Sequence, residues 1–153
     1  MEFRDRHVVV TGGTGALGLA VVQALVQEGA TVHVSYVVAA EAERFPLREH
    51  ASVHLAGPIE LTREADVDRL YAGVPNLWAS IHLAGGFAMG GIVDAAAAIL
   101  TQQMEMNALT AYLCCRAAVR NMRSSGGGRI VNVAARPALE GRAGAVMAAY
   151  DAS

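Results

Sequence analysis

The sequence lacks the features that mark several large classes of protein. Only two of its 153 residues are cysteines, and Cys114 and Cys115 are adjacent, so they cannot form a disulfide framework. Charged residues make up 17% of the chain, and 12 basic against 14 acidic side chains give a formal net charge of −2. This balance provides no basic field for a phosphate backbone, which excludes nucleic acid as an expected partner. The hydrophobic share of 54% also excludes intrinsic disorder.

Uninterrupted apolar runs that could cross a membrane are also missing. Residues 7–27 and 71–93 carry no charged side chain, but glycines interrupt both stretches and Pro75 interrupts the second. Because turns in lipid leave backbone groups without hydrogen-bond partners, neither stretch fits a membrane span. The N-terminus carries charges of both signs and leads into a run of only three valines, which is not the pattern of a signal peptide. We therefore expect a soluble, cytoplasmic protein that does not bind membranes.

Short runs of β-branched residues alternate along the chain with longer stretches rich in alanine and leucine. This alternation is typical of βαβ units, in which right-handed crossovers build a parallel sheet with helices on both faces. We therefore predict one α/β domain over residues 1–153, with a doubly wound parallel sheet. The predicted strands are residues 7–11, 31–36, 52–55, 77–83 and 129–133. The predicted helices are residues 16–28, 63–71 with Thr62 as N-cap, 94–123 with a break near Thr101, and one that begins near residue 147.

A glycine-rich loop follows the first strand and opens the first helix; it reads Thr11-Gly12-Gly13-Thr14-Gly15-Ala16-Leu17-Gly18. Glycine permits the tight turn, and the lack of a Cβ lets a pyrophosphate approach the backbone. The helix N-terminus adds free N–H donors for the same anion. Because the loop lies between a strand and a helix at the start of a βαβ unit, it predicts a dinucleotide-binding site.

The order of the motifs along the chain resembles that of the short-chain dehydrogenase/reductase family. In the glycine loop, the family pattern Thr-Gly-x-x-x-Gly/Ala-x-Gly is filled by Thr11, Gly12, Ala16 and Gly18. The later matches are His82-Leu83-Ala84-Gly85 at the end of the fourth strand, Asn107 in the following helix, Gly128-Arg129-Ile130-Val131-Asn132-Val133 and Tyr150-Asp151-Ala152-Ser153. The resemblance implies a Rossmann-like sheet of strand order 3-2-1-4-5 that lacks the family's usual last strands. It also implies that these residues are the N-terminal part of a longer domain, which forms a homodimer or homotetramer.

The resemblance further implies NAD or NADP as cofactor. In the family, an acidic residue at the end of the second strand favours NAD, and a basic residue there favours NADP. Here Tyr36 and Val37 occupy that place, so the sequence leaves the preference open. Glu60 either accepts a hydrogen bond from the adenine amino group or is a solvated charge at a strand end. The residues expected to contact the cofactor are Gly12, Thr14, Gly15, Ala16, Leu17, Gly18, Tyr36, Glu60, Leu61, Leu83, Ala84 and Gly85.

The expected catalytic residues are Tyr150 and Asn107. The resemblance implies that Tyr150 donates a proton while a hydride moves to the carbonyl or conjugated imine of a small-molecule substrate, and that Asn107 supports a water relay. A phenol titrates near pH ~10, so it needs a nearby cation to act at neutral pH. The lysine that serves this purpose in the family would follow Ser153, and Ala135 stands where the family has its serine.

The missing serine is also a feature of quinonoid dihydropteridine reductases, a branch of the same family. Their segments are similar to residues 84–87 and 138–141 of this sequence. This resemblance is the reason to consider a conjugated imine beside a carbonyl as the substrate group. The alternative interpretation is a non-catalytic dinucleotide-binding or redox-sensing protein, or an inactive fragment.

Other notable residues are interpreted as structural. We predict that His82 is a buried polar residue with satisfied hydrogen bonds, and that Cys114 and Cys115 are packing residues. The five histidines share no metal-like spacing with the cysteines or carboxylates, so no metal site is predicted. Residues 100–122 are apolar on more than one face, which favours a helix buried in a subunit interface.

Overall fold

The structure, a computed structural model, describes residues 2–140 and 145–153. Gly141, which ends one of the segments compared with dihydropteridine reductases, lies outside the described residues. The strands are β1 (His7–Thr11), β2 (Thr31–Ser35), β3 (Val53–Ala56), β4 (Leu77–His82) and β5 (Arg129–Asn132). The helices are α1 (Ala16–Gln27), α2 (Ala39–Arg44), α3 (Glu64–Ala72), α4 (Ala97–Gln103), α5 (Thr110–Ser124) and α6 (Ala148–Asp151). A π-helical segment, Met104–Leu109, joins α4 to α5, and a 3₁₀ turn covers Arg136–Leu139.

The five strands form one parallel sheet in the order β3-β2-β1-β4-β5, as predicted. Val8, Val9 and Val10 in β1 are all fully buried, which requires cover on both faces of the sheet. Val8 and Val10 belong to the core that includes residues of α1, and Val9 belongs to the core built with α3 and α5. From β1 the chain runs to β2 and β3 on one side of β1, and it then crosses to β4 on the other side of β1. The carboxyl ends of β1 and β4 therefore border a crevice, where doubly wound sheets bind ligands.

Three local features differ from the predictions. Thr62 is not the N-cap of α3, because its hydroxyl donates to Glu60 Oε1 at 3.0 Å and the helix begins after Arg63. The short helix α2 has no counterpart in the predicted elements. The predicted break near Thr101 is wrong, since Thr101 lies within α4 and the change of helix type begins at Met104. Within residues 2–140 and 145–153, no helix is both long and apolar enough to cross a bilayer.

Three histidines on neighbouring strands form a ladder across one face of the sheet. His33 lies opposite His54 in the register of β2 and β3, and its Nε2 is 3.1 Å from Nδ1 of His7 in β1. The ring centroids are 5.1 Å apart between His33 and His54, and 5.4 Å apart between His7 and His33. Burial lowers the pKa of His33 to about 4, and the neighbouring imidazoles of His54 and His7 add to this effect.

The ladder predicts a loss of stability in mild acid. An unfolded chain, with an ordinary histidine pKa of 6.5, binds a proton at His33 as the pH falls towards 4, whereas the folded chain does not. The free energy of unfolding therefore decreases as the pH is lowered from 6.5 towards 4. We expect this decrease to be about 1–2 kcal/mol once solvent screening at this half-buried residue is included. Replacing His33 with valine should remove this part of the pH dependence. Urea denaturation at pH about 7.5 and about 4.5 measures the difference.

The matched control for this prediction is His50→Gln. His50 is exposed and lies outside the ladder, so its replacement should leave the pH dependence as in the unmodified chain. Burial also lowers the pKa of His82, and some acid sensitivity should therefore remain in the His33→Val variant. An unchanged dependence on pH after His33→Val would show that the ladder does not control acid stability.

Candidate functional site

The crevice at the carboxyl ends of β1, β2 and β4 contains a cavity of about 580 Å³. Nine of the twelve residues predicted to contact a cofactor line this cavity. They are Gly12, Thr14, Gly15, Tyr36, Glu60, Leu61, Leu83, Ala84 and Gly85. The other three, Ala16, Leu17 and Gly18, belong to the first turn of α1. We refer to this space as the first cavity.

Gly12 holds the glycine loop directly against the end of β4. Its φ is +66°, and a Cβ at this position would lie 2.7 Å from the amide nitrogen of Ala84. The contact is completed by two hydrogen bonds, from the Leu83 amide to the Thr11 carbonyl at 3.1 Å and from the Ala84 amide to Thr11 Oγ1 at 3.4 Å. A side chain at Gly12 would therefore have to separate the loop from β4.

The N-terminus of α1 offers unpaired amide donors beside the first cavity. Gly15 is the N-cap residue and provides no side-chain cap. Its own amide donates to the Gly12 carbonyl at 3.2 Å, and the first helical bond runs from the Leu19 amide to the Gly15 carbonyl at 2.8 Å. The amides of the first turn, at Ala16, Leu17 and Gly18, have no acceptor among the described residues. Such donors, together with the positive end of the helix dipole, are suited to a pyrophosphate.

Gly18 has a packing role rather than a place on the cavity wall. A Cβ at Gly18 would overlap the carbonyl oxygen of Gly12 and would lie 2.5 Å from Cα of Gly13. These neighbours are backbone atoms, so only glycine lets α1 approach the loop this closely. The close approach is what brings the first-turn amides to the crevice.

At the end of β2, the first cavity is bordered by two glutamates in different situations. Glu60 was predicted, and its Oε1 already accepts hydrogen bonds from the amide and hydroxyl of Thr62 at 3.3 and 3.0 Å. Glu41, on α2, was missed by the sequence analysis. Its Oε2 accepts a hydrogen bond of 2.9 Å from the Thr14 hydroxyl of the glycine loop. Because 27 residues separate Thr14 from Glu41, no local pattern indicates this contact.

A second cavity of about 560 Å³ continues from the first. The two share Leu83, Ala84 and Gly85 in their walls, so they adjoin at the end of β4, and we refer to them together as the groove. The second cavity brings together the two predicted catalytic residues, Tyr150 and Asn107. Its other polar lining residues are His82, Asn132 and Ser153, and Ala135 lines it in place of the family's serine.

Asn107 connects three segments of the chain around the second cavity. Its Oδ1 accepts a hydrogen bond from the Gly86 amide at 2.9 Å, and its Nδ2 donates to the Gly86 carbonyl at 3.0 Å. Nδ2 also donates to Ser153 Oγ at 2.8 Å, next to α6 and Tyr150. The residue lies in the π-helical segment, a type of turn often found at functional sites. The wider π turn therefore accompanies a side chain that ties the loop after β4 to the segment carrying Tyr150.

His82 has the satisfied hydrogen bonds that the sequence analysis predicted. Its Nε2 lies 2.8 Å from Ser80 Oγ, and its Nδ1 lies 2.7 Å from Asn132 Oδ1. The amide oxygen only accepts, so the proton of His82 is on Nδ1. Burial lowers the pKa of His82, although the hydrogen bond to Asn132 opposes the shift, and the ring is neutral near pH 7.

The two cysteines have different surroundings in α5. Cys114 is buried in the core, as predicted, and burial raises the pKa of its thiol to about 12. Cys115 is half-buried, with its sulfur 3.7 Å from His82 Nδ1. Over the ranges 2–140 and 145–153, no group of three or more histidine, cysteine, aspartate or glutamate side chains is arranged to hold a metal ion.

Comparison with known proteins agrees with this geometry. A family model described as short chain dehydrogenase matches residues 6–153, which is nearly the whole sequence. The chain therefore belongs to the short-chain dehydrogenase family of oxidoreductases. The parallel sheet with strand order β3-β2-β1-β4-β5 and flanking helices is that of the family's Rossmann-like fold.

Individual relatives cover nearly all of this chain. A cyclopentanol dehydrogenase of Comamonas testosteroni is 33% identical over 156 residues, which cover 97% of this chain and 61% of that protein. A sorbitol dehydrogenase of Cereibacter sphaeroides is 27% identical, covering 94% of this chain and 57% of that protein. A solved structure of a short chain dehydrogenase/reductase family protein is 26% identical, with a TM-score of 0.90, and covers 99% of this chain and 63% of that one. The chain thus spans about three-fifths of the length of these relatives.

Proposed function

We propose that the groove binds NAD or NADP, and that Tyr150 donates the proton when the carbonyl or conjugated imine of a small-molecule substrate is reduced. One observation carries this proposal. The uncapped N-terminus of α1 opens on the first cavity, and the shared wall of residues 83–85 leads from there to Tyr150 in the second cavity. When bound, the nicotinamide group supplies the hydride.

The residues present fit such a cofactor. The unpaired amides of Ala16, Leu17 and Gly18 would hold the pyrophosphate, and Gly15 leaves the approach to them free of a side chain. Tyr36 and Leu61 line the first cavity on the side where the adenosine would lie. The backbone of residues 83–85 would separate the adenosine half from the nicotinamide half. We propose that the same twelve residues predicted from the sequence contact the bound cofactor.

The proton-donating role of Tyr150 requires a nearby cation, which the described lining of the second cavity does not include. All 12 basic residues of the sequence are arginines, and none of the described residues that line the second cavity carries a cationic side chain. A phenol keeps its proton at neutral pH unless a nearby positive charge stabilises the phenolate. We therefore propose that Tyr150 needs a cation that the described lining of the second cavity lacks, and that this cation is the lysine that the family resemblance places after Ser153. Asn107 is proposed as the residue that positions the Tyr150 segment through Ser153.

Binding and turnover can be measured separately on the 153-residue chain. We expect a saturable change in NADH fluorescence that ADP-ribose reverses, because both ligands place a pyrophosphate at α1. We expect no measurable turnover, and Tyr150→Phe should leave binding within about twofold of the unmodified chain. No saturable binding at millimolar NADH would refute the proposed function. Turnover by the 153-residue chain that disappears in Tyr150→Phe would refute the requirement for this lysine.

A non-catalytic dinucleotide-binding or redox-sensing role is the second candidate. It is favoured by Ala135 at the serine position together with the absence of lysine from the sequence. If the chain binds dinucleotide but remains inactive when a lysine-bearing segment follows Ser153, the sensing role is supported. Activity gained with that lysine and lost in Tyr150→Phe supports the enzyme.

We also propose that the protein is a homodimer or homotetramer. Large apolar side chains stay exposed along α4, the π-helical segment and α5; they include Leu100, Met104, Leu109, Tyr112 and Val119. A face of this kind, on consecutive helices, is typical of an interaction surface. The molecular mass in solution measures whether a second copy covers it.

A further inference from the structure

The first cavity combines a site for a phosphorylated ligand with an excess of negative charge. Three carboxylates line it, those of Glu41, Glu60 and Glu105. The described residues of its wall include no arginine, lysine or histidine. Any phosphate bound there is consequently held by backbone amides and neutral side chains, and a phosphate placed away from α1 meets only carboxylates and neutral groups.

Glu41 is the carboxylate closest to the glycine loop, through its hydrogen bond to Thr14. The Thr14 hydroxyl has a single proton, and it is donated to Glu41 Oε2 at 2.9 Å. Thr14 therefore has no proton left to donate to a phosphate at this place. Glu41 is exposed and forms no ion pair with another described residue, so its charge is not neutralised by the protein.

The position of Glu41 matters because it faces the end of β2. Thr14, Tyr36, Val37 and Glu41 all line the first cavity there. In a doubly wound sheet, the adenosine ribose of a bound dinucleotide lies at this strand end, where a carboxylate accepts a hydrogen bond from the 2′-hydroxyl. A 2′-phosphate in the same place would bring a group with nearly two negative charges against the Glu41 carboxylate.

We infer that this site takes NAD in preference to NADP, and that Glu41 is the residue that sets the preference. The inference rests on the proposed function, since it concerns a dinucleotide bound in the first cavity. It assigns the choice to a residue on α2 that lies beyond Tyr36 and Val37, the two neutral residues at the strand end. Like-charge contacts of this kind weaken binding strongly in a partly enclosed site.

Calorimetric titration of the 153-residue chain with NAD⁺ and with NADP⁺ tests the inference without any turnover. We expect NAD⁺ to bind at least about tenfold more tightly than NADP⁺. Glu41→Gln should reduce the ratio of NAD⁺ affinity to NADP⁺ affinity by about fivefold or more, mainly by strengthening NADP⁺ binding. The reason is that the amide removes the charge of the carboxylate and keeps its shape. Higher salt should also reduce this affinity ratio in the unmodified chain, since ions screen the repulsion between the Glu41 carboxylate and the 2′-phosphate.

Glu43→Gln is the matched control. It removes the same charge from the same helix, but Glu43 is exposed and does not line the first cavity, so the ratio should stay unchanged. Equal or tighter binding of NADP⁺, or an unchanged ratio in Glu41→Gln, would overturn the inference and leave the proposed function in place. If neither dinucleotide binds, the proposed function fails, and the inference fails with it.

Discussion

Replacing Gly15 with aspartate is expected to weaken dinucleotide binding at least about 100-fold while the chain stays folded. Gly15 occupies the N-cap of α1 with φ −75° and ψ 173°, an extended conformation that aspartate adopts readily at this position. The new carboxylate would accept hydrogen bonds from the amides of Leu17 and Gly18, which are the donors assigned to the pyrophosphate. It would also place a negative charge where the ligand carries its own.

The stability of this variant should change in the opposite direction to its affinity. Aspartate is a better N-cap than glycine by a few tenths of a kcal/mol, and its charge interacts favourably with the helix dipole by about 0.3–1 kcal/mol. A substitution that merely damaged the fold would lower both stability and affinity. Thermal denaturation and NADH titration of the same preparation therefore separate a blocked site from a disordered one.

Gly15→Ala is the control for the added side chain. A Cβ at Gly15 has only the Gly12 carbonyl oxygen nearby, at 3.5 Å, which is ordinary contact. Alanine cannot cap the helix, so the first-turn amides stay available, and affinity should remain within about tenfold of the unmodified chain. Normal binding by Gly15→Asp would place the pyrophosphate elsewhere and remove the basis of the proposed function.

The features that the sequence predicts correctly depend on short-range patterns. Three consecutive valines at residues 8–10 predict a strand buried on both faces, and the glycine loop directly after them predicts the turn into α1. The handedness of the crossovers favours a doubly wound sheet. The order of its strands was implied by the resemblance to the short-chain dehydrogenase/reductase family. The sequence therefore predicted that residues of the loop and of the segment after β4 would line one cavity, and their contacts with a cofactor stay a prediction.

The features that the sequence does not predict depend on contacts between distant segments. The six-residue helix α2 is too short for a clear hydrophobic period, and the approach of Glu41 to Thr14 exists only once β2 lies beside β1. The π turn around Asn107 lengthens the spacing of the backbone hydrogen bonds by one residue, which a pattern of apolar residues does not reveal. The register that aligns His33 with His54 is likewise set by packing of the whole sheet.

The predicted N-cap at Thr62 shows how local competition defeats a local rule. Threonine is a good N-cap because its oxygen accepts an amide hydrogen bond. Here the Thr62 hydroxyl and amide both bind Glu60 Oε1, so the residue is used to orient a carboxylate at the first cavity. The predicted N-cap was wrong because the Thr62 hydroxyl donates to a carboxylate and does not cap the helix.

Gly18→Ala should destabilise the fold by about 2–3 kcal/mol and weaken dinucleotide binding more than about tenfold. In an exposed helix, the same change usually stabilises by up to ~1 kcal/mol, because alanine is the better helix former. Here the sign reverses because the added Cβ would overlap the Gly12 carbonyl oxygen and approach Gly13 Cα to 2.5 Å. Those atoms are backbone, so relief requires α1 to move away from the loop, and its first-turn amides move with it.

Gly73→Ala separates this clash from the ordinary effect of losing a glycine. Gly73 follows α3 with φ −79° and ψ −1°, and a Cβ there would meet nothing closer than the Leu70 carbonyl oxygen at 3.6 Å. Its replacement should leave binding unchanged and stabilise the chain by about 0.4–1 kcal/mol, through the lower entropy of the unfolded state. Urea denaturation and NADH titration of both variants give the comparison. If Gly18→Ala behaves like Gly73→Ala in both measurements, the close contact between α1 and the loop does not hold the amides in place.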